Sequence, residues 1–403
     1  MGFASGSISF RRFAVVGQAP ASVDQDMLEL LETHALRERD LGVPEEEEYG
    51  WSGGRHVLDA SFSFENNVYA DALLFGLRVD TNKVPGDLKK AYAFVEEESV
   101  AKNNPSGFIS KLQKRDVKDV VRRRVDEDLR SGKFKKSKLT PILWDLTSQT
   151  LLCNASGSTQ EKLLEIFERT FDLKLMPISA GSLALRMLEP KGRRRDYEDA
   201  RPTRFVQGPE GEGQLPEYPW VMKGPEPKDF MGNEFALWLW HHAEARDSTI
   251  QTSNGDATVM FDRSLDLDCA FGQTGRDSLR GDGVTRMPEA RDAMRSGKVP
   301  RRAGTIVDAN GQQFNLTFGA EGFSIGSLKL PEVEEAENPR VLFEERIGML
   351  REFCKTLDAL FEAFLKVRTG GSWESQANAI RKWIQQTSRS AMSTPASAEL
   401  AIA

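Results

Sequence analysis

The chain has 403 residues, 39% of them hydrophobic and 29% charged, and carries a net charge of −7. That length allows two or three domains with buried cores, and the composition is that of a globular protein. The acidic balance argues against a histone-like DNA binder, no apolar run is long enough to span a bilayer, and Cys153, Cys269 and Cys354 are too few and too scattered for a disulfide framework. No signal-peptide pattern is present, and Gly6 stands where a myristoylation motif needs Ser or Thr, so a cytoplasmic protein is expected.

In chain order, Ser7–Val16 alternates as a strand, and Ser22-Val23-Asp24 opens an amphipathic helix with Met27, Leu28, Leu30, Leu31 and Leu36 on its apolar side. Residues 45–48 read as a solvated acidic turn, and Asp71–Val79 as a buried strand. Two helices are predicted over 85–98 and 107–130. The second places Val117, Val120, Val121, Val125 and Leu129 on one side, with Lys114, Arg115, Lys118, Arg122, Arg123 and Arg124 crowding the rest. It ends at Ser131-Gly132, where glycine suits a left-handed cap. A basic tip follows, Lys133, Phe134, Lys135, Lys136 and Lys138, before the chain enters an apolar strand over 139–146. A hairpin to 151–155 and a helix over 159–171 complete this part.

From Pro190 to Asp229 the chain is rich in Pro, Gly and charge, and reads as a linker or surface insertion. Order resumes at 232–242, with strands expected over 257–269 and 305–318, the latter a hairpin turning at Asn310-Gly311. Residues 331–337 read as an acidic loop. Val341–Val367 carries Leu342, Phe343, Ile347, Leu350, Phe353, Leu357, Leu360, Phe361 and Phe364 at helical spacing, and a second helix covers 374–384. The expected organisation is a first α/β unit over 1–185 with a basic finger at about 111–146, a linker over 186–231, a second α/β unit over 232–331, C-terminal helices over 338–386 and a disordered tail over 387–403.

One repeat stands out. Arg130-Ser131-Gly132-Lys133 recurs as Arg295-Ser296-Gly297-Lys298. Both copies end a charged helix, are followed by further cations (Arg301 and Arg302 in the second), and lead into a strand hairpin. The expected fold class is therefore α/β or α+β, with an internally duplicated helix and strand-hairpin unit.

Catalytic motifs are scarce. The Gly-Lys pairs have Glu127 and Asp292 where a phosphate loop needs its upstream glycine, and Gly208, Gly211 and Gly213 follow no strand. His241-His242 is an adjacent pair with no third ligand at metal spacing, so a structural role is expected. Asp145 and Glu161-Lys162 form no defensible nuclease motif. Neither enzyme chemistry, nor a metal, nor a cofactor is predicted.

The charge distribution carries more. Residues 101–140 hold 13 Lys/Arg against 5 Asp/Glu, a local balance of +8 that leaves −15 for the rest of the chain. Phe134 among lysines suits gripping a polyanion or hooking a partner. Cations of this density neutralise phosphates without reading bases, so nucleic acid bound without sequence preference is expected. The contact residues expected are Arg122, Arg123, Arg124, Lys133, Lys135, Lys136 and Lys138, with Lys298, Arg301 and Arg302 from the second copy.

Gly50-Trp51, the 71–79 strand, the helix into Lys133-Phe134-Lys135, the Leu143-Trp144-Asp145 strand, the 151–155 strand, and the stretch 293–307 together resemble RdgC, the bacterial recombination-associated protein family. The resemblance spans about two thirds of the chain, as scattered pattern. It implies a horseshoe-shaped subunit, two of which close as a homodimer into a ring around duplex DNA in the nucleoid. It also implies limitation of a RecA-type recombinase, no enzyme chemistry, and a dimer contact at Phe134. The insertion over 190–229, the longer 257–286 region and the helices beyond 341 depart from the family pattern. A metal-dependent nuclease and a protein-interaction scaffold are the alternative readings.

Overall fold

A computed structural model describes residues 2–37, 46–105, 107–208, 211, 213–245, 248–332 and 338–386. The chain is mixed α+β and divides into two compact units, one of residues 15–175 and one of residues 2–14 with 176–386. The division falls near 175 rather than 185, and the N-terminal segment and C-terminal helices both belong to the second unit. Strand β1 (Ile8–Val16) lies mostly in that unit.

The first unit contains α1 (Gln25–Thr33), β2 (Glu47–Ser52), α2 (Phe64–Asn67), β3 (Val68–Tyr69), β4 (Ala72–Asn82), α3 (Gly86–Lys102), α4 (Lys111–Arg130), β5 (Lys135–Asp145), β6 (Thr150–Cys153) and α5 (Ser158–Phe171). Its antiparallel sheet runs β6-β5-β4-β2, with β3 also paired to β4. Helix α1 is capped by Asp24 and buries Met27, Leu28 and Leu31, but it stops at Thr33. Leu30 is exposed, and Leu36 donates its N–H to the Trp51 carbonyl instead of joining the helix. The expected acidic turn begins a strand, since Glu47 and Glu48 pair with Thr81 and Asp80. Trp144 packs edge-on to Phe167 and Phe171, and Trp51 packs on Phe75 while its Nε1–H donates to Thr170.

Strand β7 (Lys174–Pro177) leads to the second unit: α6 (Ala180–Leu188), a 3-10 turn at Glu189–Lys191, α7 (Arg194–Asp199), α8 (Pro219–Met222), α9 (Phe230–Ala245), β8 (Thr249–Thr252), β9 (Gly255–Cys269), β10 (Arg276–Arg280), a 3-10 turn at Val284–Arg286, α10 (Pro288–Arg295), β11 (Lys298–Ala309), β12 (Gln312–Gly319), β13 (Ser324–Lys329), α11 (Pro339–Arg368) and α12 (Trp373–Gln385). The antiparallel order is β10-β9-β11-β12-β13-β1, with β8 on β9. Asn310 and Gly311 both take positive φ, as the tight β11–β12 turn requires. Helix α11 buries Phe343, Ile347, Leu350, Phe353, Leu357, Leu360, Phe361 and Phe364, so its stripe faces the core of its own unit.

The described residues of the stretch 190–229 are packed in several places, unlike a free linker. Ala200, Phe205, Tyr218 and Val221 are buried. The Thr203 N–H donates to buried Glu234 at 2.6 Å, and Arg368, paired with that same Glu234, donates to the Arg201 carbonyl. These partners lie 31 and 167 residues away, which explains why local periodicity misses the order. The 387–403 tail and most of the 331–337 loop lie outside the described residues.

The order of elements around the repeat recurs. In the first unit β4 leaves on an excursion, returns as β5 beside itself and turns into β6. In the second, β9 leaves, returns as β11 and turns into β12. The preceding helices α4 and α10 both end at a glycine in the left-handed region, Gly132 with φ 68° and Gly297 with φ 89°.

Candidate nucleic-acid interface

Helices α3 and α4 form a hairpin inserted between strand ends that are direct neighbours, since Asn82 of β4 pairs with Lys135 of β5. The 17 and 20 residues of the two helices extend about 25 and 30 Å. Tyr92 is the fully buried residue of α3 and Val117 that of α4. Val120, Val121, Val125 and Leu129, expected inward, are half-buried. The Tyr92 hydroxyl donates to Asp128 at 2.7 Å, which raises its pKa, and the Arg124 guanidinium lies 4.0 Å over the ring.

Along one flank of α4, beside the packed face, Lys111, Arg115, Lys118 and Arg122 stand at i, i+4, i+7 and i+11, which aligns them along one stripe. Lys114 and Arg123 flank it. All six are exposed, and among the described residues none of them makes an ion pair. The first turn of α4 contains no acidic residue, although a helix start favours carboxylates over cations by about 0.3–1 kcal/mol per charge. Helix stability therefore does not explain cations there.

Only Lys133 and Phe134 of the basic tip lie in a turn. Lys135–Lys138 already belong to β5, because β4 offers backbone partners as far as Asn82. Pairing divides the lysines between two faces, since cross-strand partners share a side. Lys135 and Ser137 lie with Asn82 and Asp80. There Arg78 grips Asp80 through two bonds of 2.9 and 2.6 Å, and Lys135 approaches to 3.5 Å. Burial pushes the Asp80 carboxyl up, but the Arg78 and Ser137 hydrogen bonds and the charges of Arg78 and Lys135 prevail and hold it below the usual range. Lys136 and Lys138 lie on the other face, exposed and about 7 Å apart along the strand. Among the described residues these two also make no ion pair. Lys133 approaches Asp128 at 3.6 Å and sits 5.3 Å over the Phe134 ring, which is half-buried rather than fully exposed.

The second copy is built differently. Lys298 is buried, with Nζ 2.6 Å from Asp277. Arg301 pairs with Asp268 at 3.1 Å and with Glu321, and its guanidinium lies 4.6 Å over the Trp220 ring. Neither cation is available to a phosphate without breaking internal pairs, so the expectation for these two is corrected. Arg302 remains exposed. The expected contact set left out Lys111, Lys114, Arg115 and Lys118, although they lie in the expected basic finger and the charge balance of 101–140 contains their signal.

The remaining candidates have structural surroundings. His241 is buried against Trp383, and His242 packs on Trp238. Asp145 is buried and accepts from the Ser148 hydroxyl. Burial pushes the Cys153 thiol up to about 12. Among the described residues no group of three or more His, Cys, Asp or Glu side chains is arranged to hold a metal, and no helix is long and apolar enough to cross a membrane. Neither a protein-family model nor a curated protein matches the chain.

Proposed function

We propose that this chain binds duplex DNA without sequence preference, through the outward stripe of α4 and the first residues of β5. The observation that carries this reading is a set of exposed cations, Lys111, Arg115, Lys118, Arg122, Lys136 and Lys138, that make no ion pair among the described residues of an otherwise acidic chain. Charge of this kind gains little from the fold, whereas neutralising phosphates releases counterions and supplies affinity for any sequence. No base-reading array accompanies it. Closure of two subunits into a ring, residence at the nucleoid and limitation of a RecA-type recombinase belong to the same proposal, and rest on the resemblance to the RdgC family.

A salt titration of duplex binding tests the reading. Six phosphate contacts give a slope of log affinity against log salt of roughly −5. Lys136→Ala with Lys138→Ala flattens it by about 2, equally for every sequence. Arg301→Ala leaves the slope unchanged, because that guanidinium is already committed. A wild-type slope near zero, or strong preference for one site, overturns the proposal.

A further inference from the structure

The tip of the α3–α4 hairpin has a feature that phosphate binding does not use. Phe108 is 81% exposed and Leu112 is 70% exposed, in the same short stretch as the exposed Lys111, Lys114 and Arg115. Large apolar groups held in water need a reason when they cluster at the end of an arm.

This tip is built rather than frayed. The Asn104 and Gln113 side-chain amides exchange two hydrogen bonds, of 3.0 and 2.9 Å, and so tie the end of α3 to the start of α4. Asn104 also donates to the Phe108 carbonyl at 2.7 Å. Ser110 and Gln113 form a reciprocal capping box. Five hydrogen bonds therefore tie the two helix ends to each other, with Phe108 and Leu112 exposed beside them. From Lys111 to Arg124 there are seven cations against Asp116 and Asp119, so this end of the arm carries net positive charge and is attracted to a polyanion.

We propose that this tip is a wedge for base-pair steps, in which Phe108 and Leu112 enter a duplex where stacking is weak while Lys111, Lys114 and Arg115 hold the flanking phosphates. The proposal rests on the DNA-binding reading above, and it names the preferred form of the ligand. Apolar side chains on basic arms open base steps in this way, at a cost of unstacking that a mismatch or bulge has already met. The preferred ligand is thus duplex DNA interrupted by a mismatch, a bulge or a flexible pyrimidine–purine step. Phe94 and Val95, also exposed, lie about 12 Å back along α3 and are not part of the wedge.

The test uses the full chain and two fluorescein-labelled duplexes, identical except that one carries a single-base bulge, with a fluorescent adenine analogue beside the bulge position. Wild type is expected to bind the bulged duplex about tenfold more tightly, which corresponds to about 1.4 kcal/mol, and to brighten the analogue as it unstacks. Phe108→Ala with Leu112→Ala, both at exposed positions, should abolish the preference and the brightening while leaving the salt slope unchanged. Lys136→Ala with Lys138→Ala should weaken both duplexes equally and keep the preference. Equal binding of the two duplexes by wild type overturns the wedge and leaves the DNA reading standing. So does an undiminished preference in the Phe108 and Leu112 variant. Absence of binding to either duplex at low salt removes the DNA reading and the wedge with it. If the double variant changes only self-association in sedimentation, the tip docks on protein and the wedge is overturned.

Discussion

Asp229 shows how one buried carboxyl sets a pH dependence. Burial is the main cause that raises its pKa to about 6, against hydrogen bonds from Ser179 and the Gly181 N–H, with Glu226 and Glu321 adding repulsion. The folded state thus favours the neutral carboxyl. Its contribution to stability is complete below the ordinary value of 3.8 and is lost as pH rises through about 6. The rise from 3.8 to about 6 corresponds to about 3 kcal/mol. Asp229→Asn keeps an acceptor for Gly181 and removes the charge. Urea denaturation should therefore find the variant more stable by up to about 3 kcal/mol at pH 8 and unchanged at pH 3. The same gain at both pH values would mean that Asp229 titrates normally.

At the scale of elements, the α3–α4 hairpin is separable from the sheet that carries it. Its helices bury little, and the strand ends it joins are already neighbours at Asn82 and Lys135. Replacing residues 86–131 by a short Gly/Ser linker should leave the sheet and its Trp51 and Trp144 packing intact, as read by near-ultraviolet circular dichroism. The salt slope of DNA binding should flatten by about 0.9 for each α4 contact removed. A protein that fails to fold would show that the hairpin supports the sheet.

What the sequence made legible follows from the range of the forces involved. Helices α4 and α11 announce themselves through local periodicity, and Asn310-Gly311 through turn chemistry. The start of β5 did not, because Lys135–Lys138 have no strand pattern of their own and are held by β4. Residues 190–229 did not either, because Glu234 and Arg368 organise them from afar. The repeat is the sharpest case. Lys133 and Lys298 occupy equivalent positions in identical tetrapeptides, yet Asp277 on β10 makes one internal while the other stays exposed.

Across the whole molecule, charge is partitioned: +8 within residues 101–140 and −15 elsewhere. Such a chain meets a polyanion with one region and repels it with the remainder, which favours a single mode of approach. Self-association belongs to this scale as well. Phe134 is already half-buried, so docking it in a partner gains about 1 kcal/mol rather than the full value of a Phe ring. If it is the dimer contact, Phe134→Ser should weaken the dimer about fivefold in sedimentation equilibrium, and an unchanged dimer constant rules that role out.

The way the hairpin departs and returns has a consequence for how such a protein can be altered. An arm rooted on two cross-strand neighbours behaves as an interchangeable part. Whole helical turns can be added to or removed from α3 and α4 together without shifting the register of β4 on β5, so reach can change while the scaffold stays fixed. The same segment could be transplanted to the turn of any antiparallel β-hairpin with a compatible spacing. It would carry its cations and its apolar tip with it.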